Sequence, residues 1–260
     1  MPLIISGHQR SGTTLLRRLC DAHPQMKVAN EFGCFADVGH SVGHALKARL
    51  GQWRLVNGRW AFDSRFANQP RRHGYNLRFT LSYWRHLLRF SQGDVTITAV
   101  TQALQAQLGE TAVIGDKLPQ YLPLLPSFLS NDSVKVIIIY RDCRDVTSSF
   151  LEKVRTVWRT RPWAGDVDTA EKIAYKWVES IELMERLSDQ IYIIQYEKLV
   201  NQPASRLADL GAWLRIDPAG FNPHSVKATK VGKHQQGLTK EELADVWTVA
   251  GSTMTRLGYE

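Results

Sequence analysis

The stretch of the sequence with the clearest chemical potential is residues 6–16, SGHQRSGTTLL. It has the spacing of a phosphate-binding loop, in which a glycine, four residues and a second glycine precede a hydroxyl residue. Thr13 stands where the nucleotide-hydrolysing form of this loop carries lysine, and Arg10 offers a cation from within the loop. Because a strand, a loop and a helix amino end together direct N–H groups and a partial positive charge at one point, the stretch predicts an anion site.

A second stretch suited to an anion is residues 134–149, VKVIIIYRDCRDVTSS. Its apolar run predicts a buried strand that ends at Arg141, and Ser149 follows on the next predicted helix. Open α/β sheets bind ligands at the carboxyl ends of their strands, where these two side chains would meet a second phosphate. The alternative is that Arg141 only pairs with Asp142 or Asp145.

Both motifs, in this order, resemble those of the sulfotransferases that use 3′-phosphoadenosine 5′-phosphosulfate (PAPS) and release 3′-phosphoadenosine 5′-phosphate (PAP). In that family the first loop binds the 5′-phosphosulfate, and the Arg-Asp-x-Arg-Asp…Ser segment binds the 3′-phosphate. The resemblance implies that PAPS is the co-substrate. It also implies nucleotide-binding roles for Arg10, Ser11, Gly12, Thr13, Thr14, Arg141 and Ser149.

Further matches resemble the protein-tyrosine sulfotransferase branch of that family. They are RSGTTLLR at 10–17, DAHP at 21–24, DKLP at 116–119 and YEKLV at 196–200. This resemblance implies that Glu31 and Lys117 are catalytic, with Glu31 as the base. Lys117, at the end of a predicted strand, and Arg10, in the loop, are the candidates to stabilise the leaving oxygen. The resemblance also implies that Tyr196 contacts the nucleotide.

The sequence departs from the family pattern near its carboxyl-terminal part. The branch that acts on small molecules has an Arg-Lys-Gly clamp for the 3′-phosphate, whereas residues 231–237 read VGKHQQG and have only a faint likeness to it. Lys230 and Lys233 are the candidate ligands that this likeness offers. His8 and His23 are alternative bases that rank below Glu31.

Two other functions stay open beside sulfuryl transfer. One is a kinase or nucleotide hydrolase with an altered phosphate loop, and the other is a non-catalytic nucleotide-binding protein on the same fold. No carboxylate is placed like the magnesium ligand of phosphate-loop enzymes, so no metal is expected.

The elements that would position these residues alternate along the chain. Short runs rich in Val and Ile predict strands at 3–5, 113–114, 134–140 and 191–194, and helical patterns cover 12–22, 76–90, 95–108, 122–129, 145–157, 168–187 and 203–214. Asp168 and Glu171 have the spacing of a capping box. This alternation predicts an α/β, phosphate-loop-like three-layer fold with a central, mainly parallel sheet flanked by helices.

Charge is concentrated in one part of the 260 residues. The net charge is +8, yet residues 40–90 alone contain ten Lys or Arg and a single acid, Asp63. This basic, aromatic segment, at about 40–95, predicts a surface for an acidic hydroxyl-bearing acceptor: a peptide, a carrier-bound chain, a phenol or a glycan. No nucleic-acid motif is present, so nucleic acid is not an expected partner.

The remaining features indicate a reduced cytoplasmic enzyme of one domain, 1–260. Three cysteines without metal-ligand or paired spacing predict neither a disulfide framework nor a zinc site. No apolar run is long enough to span a bilayer and no secretory leader is recognisable, so no membrane is expected as a partner. Residues 222–240 are expected to form a flexible loop.

Overall fold

The computed structural model describes residues 1–57, 77–159, 161, 163–228 and 231–260. Its centre is a sheet of five strands in the order β2-β3-β1-β4-β5, and every pair of neighbours is parallel. The strands are β1 (Pro2–Ser6), β2 (Met26–Asn30), β3 (Val113–Lys117), β4 (Lys135–Tyr140) and β5 (Tyr192–Gln195). The predicted α/β fold with a parallel central sheet is therefore confirmed.

Alternate strand residues supply two separate cores, because successive side chains of a strand point to opposite faces of the sheet. Leu3 and Ile5 belong to one core, and Ile4 belongs to the other. Since both faces are apolar, helices must cover both, which gives the three layers.

Eleven α-helices are present among the described residues. They are α1 (Thr13–Asp21), α2 (Val42–Asn57), α3 (Leu77–Phe90), α4 (Ile97–Leu108), α5 (Leu125–Leu129), α6 (Cys143–Arg155), α7 (Ala170–Arg186), α8 (Tyr196–Asn201), α9 (Pro203–Leu214), α10 (His234–Gly237) and α11 (Lys240–Arg256). Buried residues of α1, α8 and α9 pack with Leu3 and Ile5, whereas α2 to α7 and α11 pack on the face of Ile4.

The parallel arrangement brings the predicted site residues to one edge of the sheet. Each strand ends there: the loop follows β1, Glu31 follows β2, Lys117 ends β3, Arg141 follows β4 and Tyr196 follows β5. The register makes Lys117 the partner of both Ile5 and Asn30. Residues far apart in the chain are therefore neighbours at this edge.

Several local features differ from the sequence prediction. The amino end of α7 is capped by Thr169, whose hydroxyl accepts from the Lys172 amide at 3.2 Å, so the capping box predicted for Asp168 and Glu171 was wrong. The structure also contains β2, α2, α8 and α11, which the hydrophobic pattern did not predict. Within 222–240 it shows a turn of 3₁₀-helix at Pro223–Ser225 and the short α10.

Two other sequence-based expectations can be compared with only the described part of the chain. Much of the basic, aromatic segment lies outside the described residues, which include its parts 40–57 and 77–95. Among the residues that the structure describes, no helix combines the length and apolar character needed to cross a bilayer.

Candidate active site

An aromatic ring covers the loop between β1 and α1. Gly12 is the N-cap of α1 and has a φ of 102°, a conformation that favours glycine. A Cβ added at Gly12 would lie 2.5 Å from Cδ2 of Tyr196. Tyr196 therefore lies directly against the amino end of α1, and no side chain fits between them.

The same loop contains a buried hydroxyl group whose hydrogen-bonding capacity is unused. Ser11 is fully buried, and its Oγ has no hydrogen-bond partner. The first turn of a helix also has N–H groups without acceptors inside the helix, and no side chain caps α1. An anionic ligand would satisfy both kinds of donor, so the loop fits a phosphate group.

A buried ammonium group joins this loop to the neighbouring strands. Lys117 Nζ lies 2.7 Å from Glu31 Oε1 and 3.5 Å from Thr14 Oγ1. The Lys117 side chain is fully buried, whereas that of Glu31 is 25% exposed. The contact places a partly exposed acidic group beside a buried cation that also lies within 3.5 Å of Thr14.

Two of the predicted catalytic residues have an uncommon backbone conformation. Among the described residues, the non-glycine residues with positive φ are Arg10 at 71°, Glu31 at 56° and Arg215 at 56°. Such conformations cost about 1–3 kcal/mol and persist where surrounding contacts fix them. Arg10 and Glu31 are therefore held in positions that the local chain alone does not favour.

Asp116 is the group that fixes the chain after Glu31. This buried carboxylate accepts hydrogen bonds from the amides of Phe32 at 3.2 Å and Gly33 at 2.5 Å, and from the Tyr121 hydroxyl at 2.7 Å. Burial, and then Asp116, raise the pKa of Tyr121 well above its ordinary value, so this hydroxyl stays protonated and donates. The turn at Glu31 is thus anchored to the strand that ends in Lys117.

Arg10 connects the loop to the second predicted motif. Its Nε donates to Ser149 Oγ at 3.0 Å, across 139 positions of sequence. Ser149 lies on α6, directly beyond the strand that ends before Arg141. The residues expected at the 5′ and 3′ ends of a nucleotide are therefore in contact.

The guanidinium of Arg141 is held between an aromatic ring and a carboxylate. Its Cζ lies 4.8 Å from the centre of the Tyr196 ring, and its Nη2 donates to Asp145 at 2.7 Å. Trp177 Nε1 also donates to the Arg141 carbonyl at 2.9 Å. The pairing with Asp145 foreseen as an alternative is thus present together with the position beside Tyr196, so the two interpretations are compatible.

Of the two lysines that the sequence offers as candidate ligands of the 3′-phosphate, the structure describes one. Lys230 lies outside the described residues. Lys233 is exposed and close enough to Glu152 to help lower the pKa of that carboxyl, after the larger effect of Lys153 and together with Arg10. Lys233 and Arg10 are therefore on the same side of the molecule.

Family membership follows from the sequence as a whole. The model of the Sulfotransferase family matches residues 2–219. The chain belongs to the sulfotransferase family. No curated protein gives a significant match to the sequence.

Solved sulfotransferases have the same fold as this sulfotransferase. The sulfotransferase domain from the curacin biosynthetic pathway is similar with a TM-score of 0.58 and 20% identity, covering 100% of this chain and 98% of that one. The domain from the Synechococcus PCC 7002 olefin synthase gives 0.56 and 22%, covering 95% and 86%. Mouse sulfotransferase SULT7A1, solved with PAP, gives 0.53 and 12%, covering 98% and 84%.

The structure gives both alternative bases surroundings that differ from those of Glu31. His23 lies before β2, at the edge of the sheet where the strands begin. There its ring nitrogens form hydrogen bonds with the Asp217 carbonyl and the Gln25 amide. His8 is in the loop, but burial lowers its pKa to about 4. The His8 ring contacts the Gln9 carbonyl at 2.8 Å, whereas Glu31 contacts the Lys117 ammonium beside Thr14.

Sequence reasoning assigned no role to Asp116, and it treated Asp145 only as a possible partner of Arg141. Asp116 directly precedes Lys117 at the end of an apolar strand, and Asp145 lies four positions after Arg141 in the first turn of α6. Both positions are buried, and an unpaired charge there would be costly. That placement is the signal that could have identified them as structural supports of the site. No cluster of metal-ligating side chains occurs in the part of the chain that the structure describes.

Proposed function

We propose that this sulfotransferase moves a sulfuryl group from PAPS to an acceptor hydroxyl by in-line displacement. The observation that carries the proposal is the contact of Lys117 with Glu31 and Thr14 beside an anion-binding loop. It brings together a proton acceptor, a cation and a phosphate cradle, the three groups that the reaction needs.

The reaction forms a bond between sulfur and the acceptor oxygen and breaks the bond between sulfur and the bridging oxygen of the 5′-phosphate. Negative charge grows on that bridging oxygen as PAP departs. Lys117 and Arg10 are proposed to stabilise it, while the N–H groups at residues 11–14 and the Thr13 and Thr14 hydroxyls hold the 5′-phosphate. These groups supply the positive charge, so the proposal includes no metal.

Glu31 is proposed to receive the acceptor proton. A carboxylate is a weaker base than a phenolate by roughly six pKa units, so the proton must transfer late, as the new bond to sulfur forms. An aliphatic alcohol would widen this gap, which favours a phenolic acceptor such as tyrosine. The motif resemblance to the protein-tyrosine branch supports the same choice.

At the other end of the nucleotide, Arg141 and Ser149 are proposed to bind the 3′-phosphate, with Lys233 approaching from the segment after residue 230. Tyr196 is proposed to contact the nucleotide as well as the Arg141 guanidinium. The hydrogen bond of Arg10 to Ser149 supports this assignment, because it holds the two halves of the site at a fixed separation.

The proposed acceptor is a phenol on an acidic partner. Helices α2 and α3 contain no Asp or Glu, and Lys47, Arg78, Arg85 and Arg89 are exposed on them. Phe32, next to Glu31, packs edge-on against Phe79 and Tyr83 of α3. The cationic helices therefore adjoin the proposed base, and an acidic peptide would be drawn to that side of the site.

The test of the donor is thermal melting with metal-free PAP and, separately, with ADP and magnesium. A ligand at 100 times its Kd stabilises by about 2.7 kcal/mol, so PAP should raise Tm by several degrees and Mg-ADP should not. The reverse pattern would favour an altered kinase or hydrolase and would refute the proposal. A protein that binds PAP but transfers no label from PAPS to any hydroxyl compound would instead be a binding protein.

The acceptor is tested with labelled PAPS, acidic tyrosine peptides and neutral phenols. Exposed charges are screened by salt, so the KM for an acidic peptide should rise between 0.05 and 0.3 M NaCl by about tenfold, while that for a neutral phenol stays constant. Replacing Arg78 and Arg85 with Ala should remove most of this difference. Equal salt dependence for both acceptors would contradict the acidic partner.

A further inference from the structure

One buried carboxylate connects Arg141 to the segment 231–237. Asp145, in the first turn of α6, is 1% exposed. Its Oδ2 accepts from Arg141 Nη2 at 2.7 Å and from the Gly232 amide at 3.0 Å. Its Oδ1 accepts from the His234 amide at 3.0 Å and from His234 Nδ1 at 2.9 Å.

Four donors make this carboxylate favourable in a place where water is excluded. Burial alone would raise the pKa of Asp145, but Arg141 and the two bonds from His234 outweigh burial and lower it. The group is therefore an anion that accepts at both oxygens. Two of its four donors are backbone amides that flank Lys233, so the carboxylate fixes the chain on either side of that lysine.

The segment also packs against α6 independently of Asp145. A Cβ added at Gly237 would lie 2.0 Å from Ser148 Oγ, so the chain passes α6 so closely that a larger residue there would displace the Ser148 hydroxyl. Ser148 directly precedes Ser149, whose hydroxyl accepts a hydrogen bond from Arg10. The described part of the segment is thus docked on the same helix that contributes the second anion motif.

We infer that Asp145 is a positioning residue that holds both Arg141 and the segment 231–237 at the subsite for the 3′-phosphate of the nucleotide. The inference rests on the proposed function, because it takes that subsite from it. Asp145 does not touch the nucleotide in this assignment. It acts by aiming the Arg141 guanidinium from one side while it fastens the chain that carries Lys233 from the other.

The diagnostic substitution is Asp145→Asn, which keeps the shape of the side chain. An amide has one acceptor oxygen, and its NH₂ group would face a backbone amide donor, of Gly232 or of His234, at the second position. At least one of the four hydrogen bonds is therefore lost, and the negative charge is lost with it. The matched control is Asp142→Asn in the same motif. Asp142 caps α6 and pairs with Arg144, and it makes no hydrogen bond to Arg141 or to the segment among the described contacts.

Two measurements separate positioning from a general loss of stability. The first is hydrogen exchange of the ligand-free protein, in which the amides of Gly232 and His234 should exchange at least tenfold faster in Asp145→Asn and at the original rate in Asp142→Asn. The second is the ratio of the Kd values for AMP and PAP, which isolates the 3′-phosphate. Asp145→Asn should raise the Kd for PAP by about 10- to 100-fold and change the Kd for AMP by less than threefold.

The outcomes are distinguishable from failure of the proposed function. If the unmodified protein binds AMP and PAP equally, the 3′-phosphate subsite is wrong, and the inference falls with it even if the exchange rates change. If the unmodified protein prefers PAP and Asp145→Asn alters neither exchange nor the ratio, only the inference is overturned. Should Asp145→Asn not fold, His234→Phe removes one side-chain bond, and it should shift both readouts in the same direction by about two- to fivefold; no shift would overturn the inference.

Discussion

The ammonium group of Lys117 lies 2.7 Å from a carboxylate oxygen of Glu31, and the two side chains differ sharply in exposure. The lysine side chain is fully buried, so nearby anions and not water stabilise its charge. The glutamate side chain is 25% exposed to solvent. A nucleotide phosphate that enters beside Thr14 would compete with Glu31 for the same ammonium. In the proposed reaction, binding of the donor therefore frees the carboxylate to accept a proton.

The first prediction concerns this pair. Lys117→Met keeps an unbranched side chain one atom shorter and removes the charge, and it should lower kcat by about 10²- to 10³-fold while PAP binding weakens much less. Glu31→Gln should lower kcat by about 10²- to 10⁴-fold, because it removes the proton acceptor. Both values are measured with labelled PAPS at saturating acceptor.

The control for these variants is Arg186→Ala. Arg186 is exposed and ends α7 before β5, so it lies toward the opposite edge of the sheet. Its kcat should be unchanged. Since Lys117 and Glu31 are in contact, the double variant should lose less than the product of the two single effects. Full activity in either single variant would exclude the proposed roles.

The edge of the sheet shows how much of the site could be predicted from the sequence. The Val- and Ile-rich runs predicted four of the five strands, and parallel pairing then requires that the residues following them share one edge. The runs could not reveal β2, because MKVAN contains a lysine and an asparagine, and its strand conformation depends on pairing with β3. Glu31 was consequently assigned by motif resemblance and not by its place in the sheet.

The second prediction concerns the bond between Arg10 and Ser149. Arg10→Lys keeps a positive charge but removes Nε, and Ser149→Ala removes the acceptor hydroxyl. Each should weaken PAP binding, and the double variant should be about 1 kcal/mol less impaired than the sum, since the two substitutions remove one shared contact. Calorimetric Kd values for the four proteins provide the measurement, and strict additivity would argue against coupling between the two motifs.

The third prediction concerns Gly12. Gly12→Ala introduces a Cβ at a φ of 102° and 2.5 Å from the Tyr196 ring. It should destabilise the fold by about 1–2 kcal/mol and also displace Tyr196, so PAP binding should weaken. Combining it with Tyr196→Ala removes the clash but not the strained φ, and urea unfolding should recover only part of the loss.

The controls for Gly12→Ala are the single Tyr196→Ala variant and Gly109→Ala. Gly109 also has a positive φ, of 100°, but a Cβ there would meet nothing within 4 Å. Gly109→Ala should lower the stability of the fold without lowering the affinity for PAP. If Gly12→Ala binds PAP as tightly as the unmodified protein, the loop does not require the approach of Tyr196 that the structure shows.

Long-range contacts explain what else the sequence could not provide. Three of the four hydrogen bonds to Asp145 come from Gly232 and His234, which are 87 and 89 positions away in a segment where no apolar period marks a helix. Likewise, α11 buries Val246, Ala250 and Met254 at spacings of four, but threonine, glycine and serine between them weaken the pattern. Tertiary packing, and not local propensity, decides both features.

The last prediction is a dependence of stability on pH that originates in His8. Burial lowers the pKa of His8 to about 4, below the value of about 6.5 expected in the unfolded chain. The unfolded chain therefore binds a proton more readily, so the contribution of neutral His8 to stability is complete above pH 6.5 and is lost as the pH falls toward 4. By pH 4.5 the loss should be about 2.5 kcal/mol.

The measurement is urea unfolding at pH 7.5 and 4.5 for the unmodified protein and for His8→Gln. Carboxyls such as Asp145 also make the fold less stable in acid, because folding lowers their pKa and the unfolded chain therefore binds protons more readily, but they do so equally in both proteins. The difference between the two pH responses isolates His8. If His8→Gln loses as much stability on acidification as the unmodified protein does, His8 is not held neutral by burial, and it would return as a candidate base in the loop.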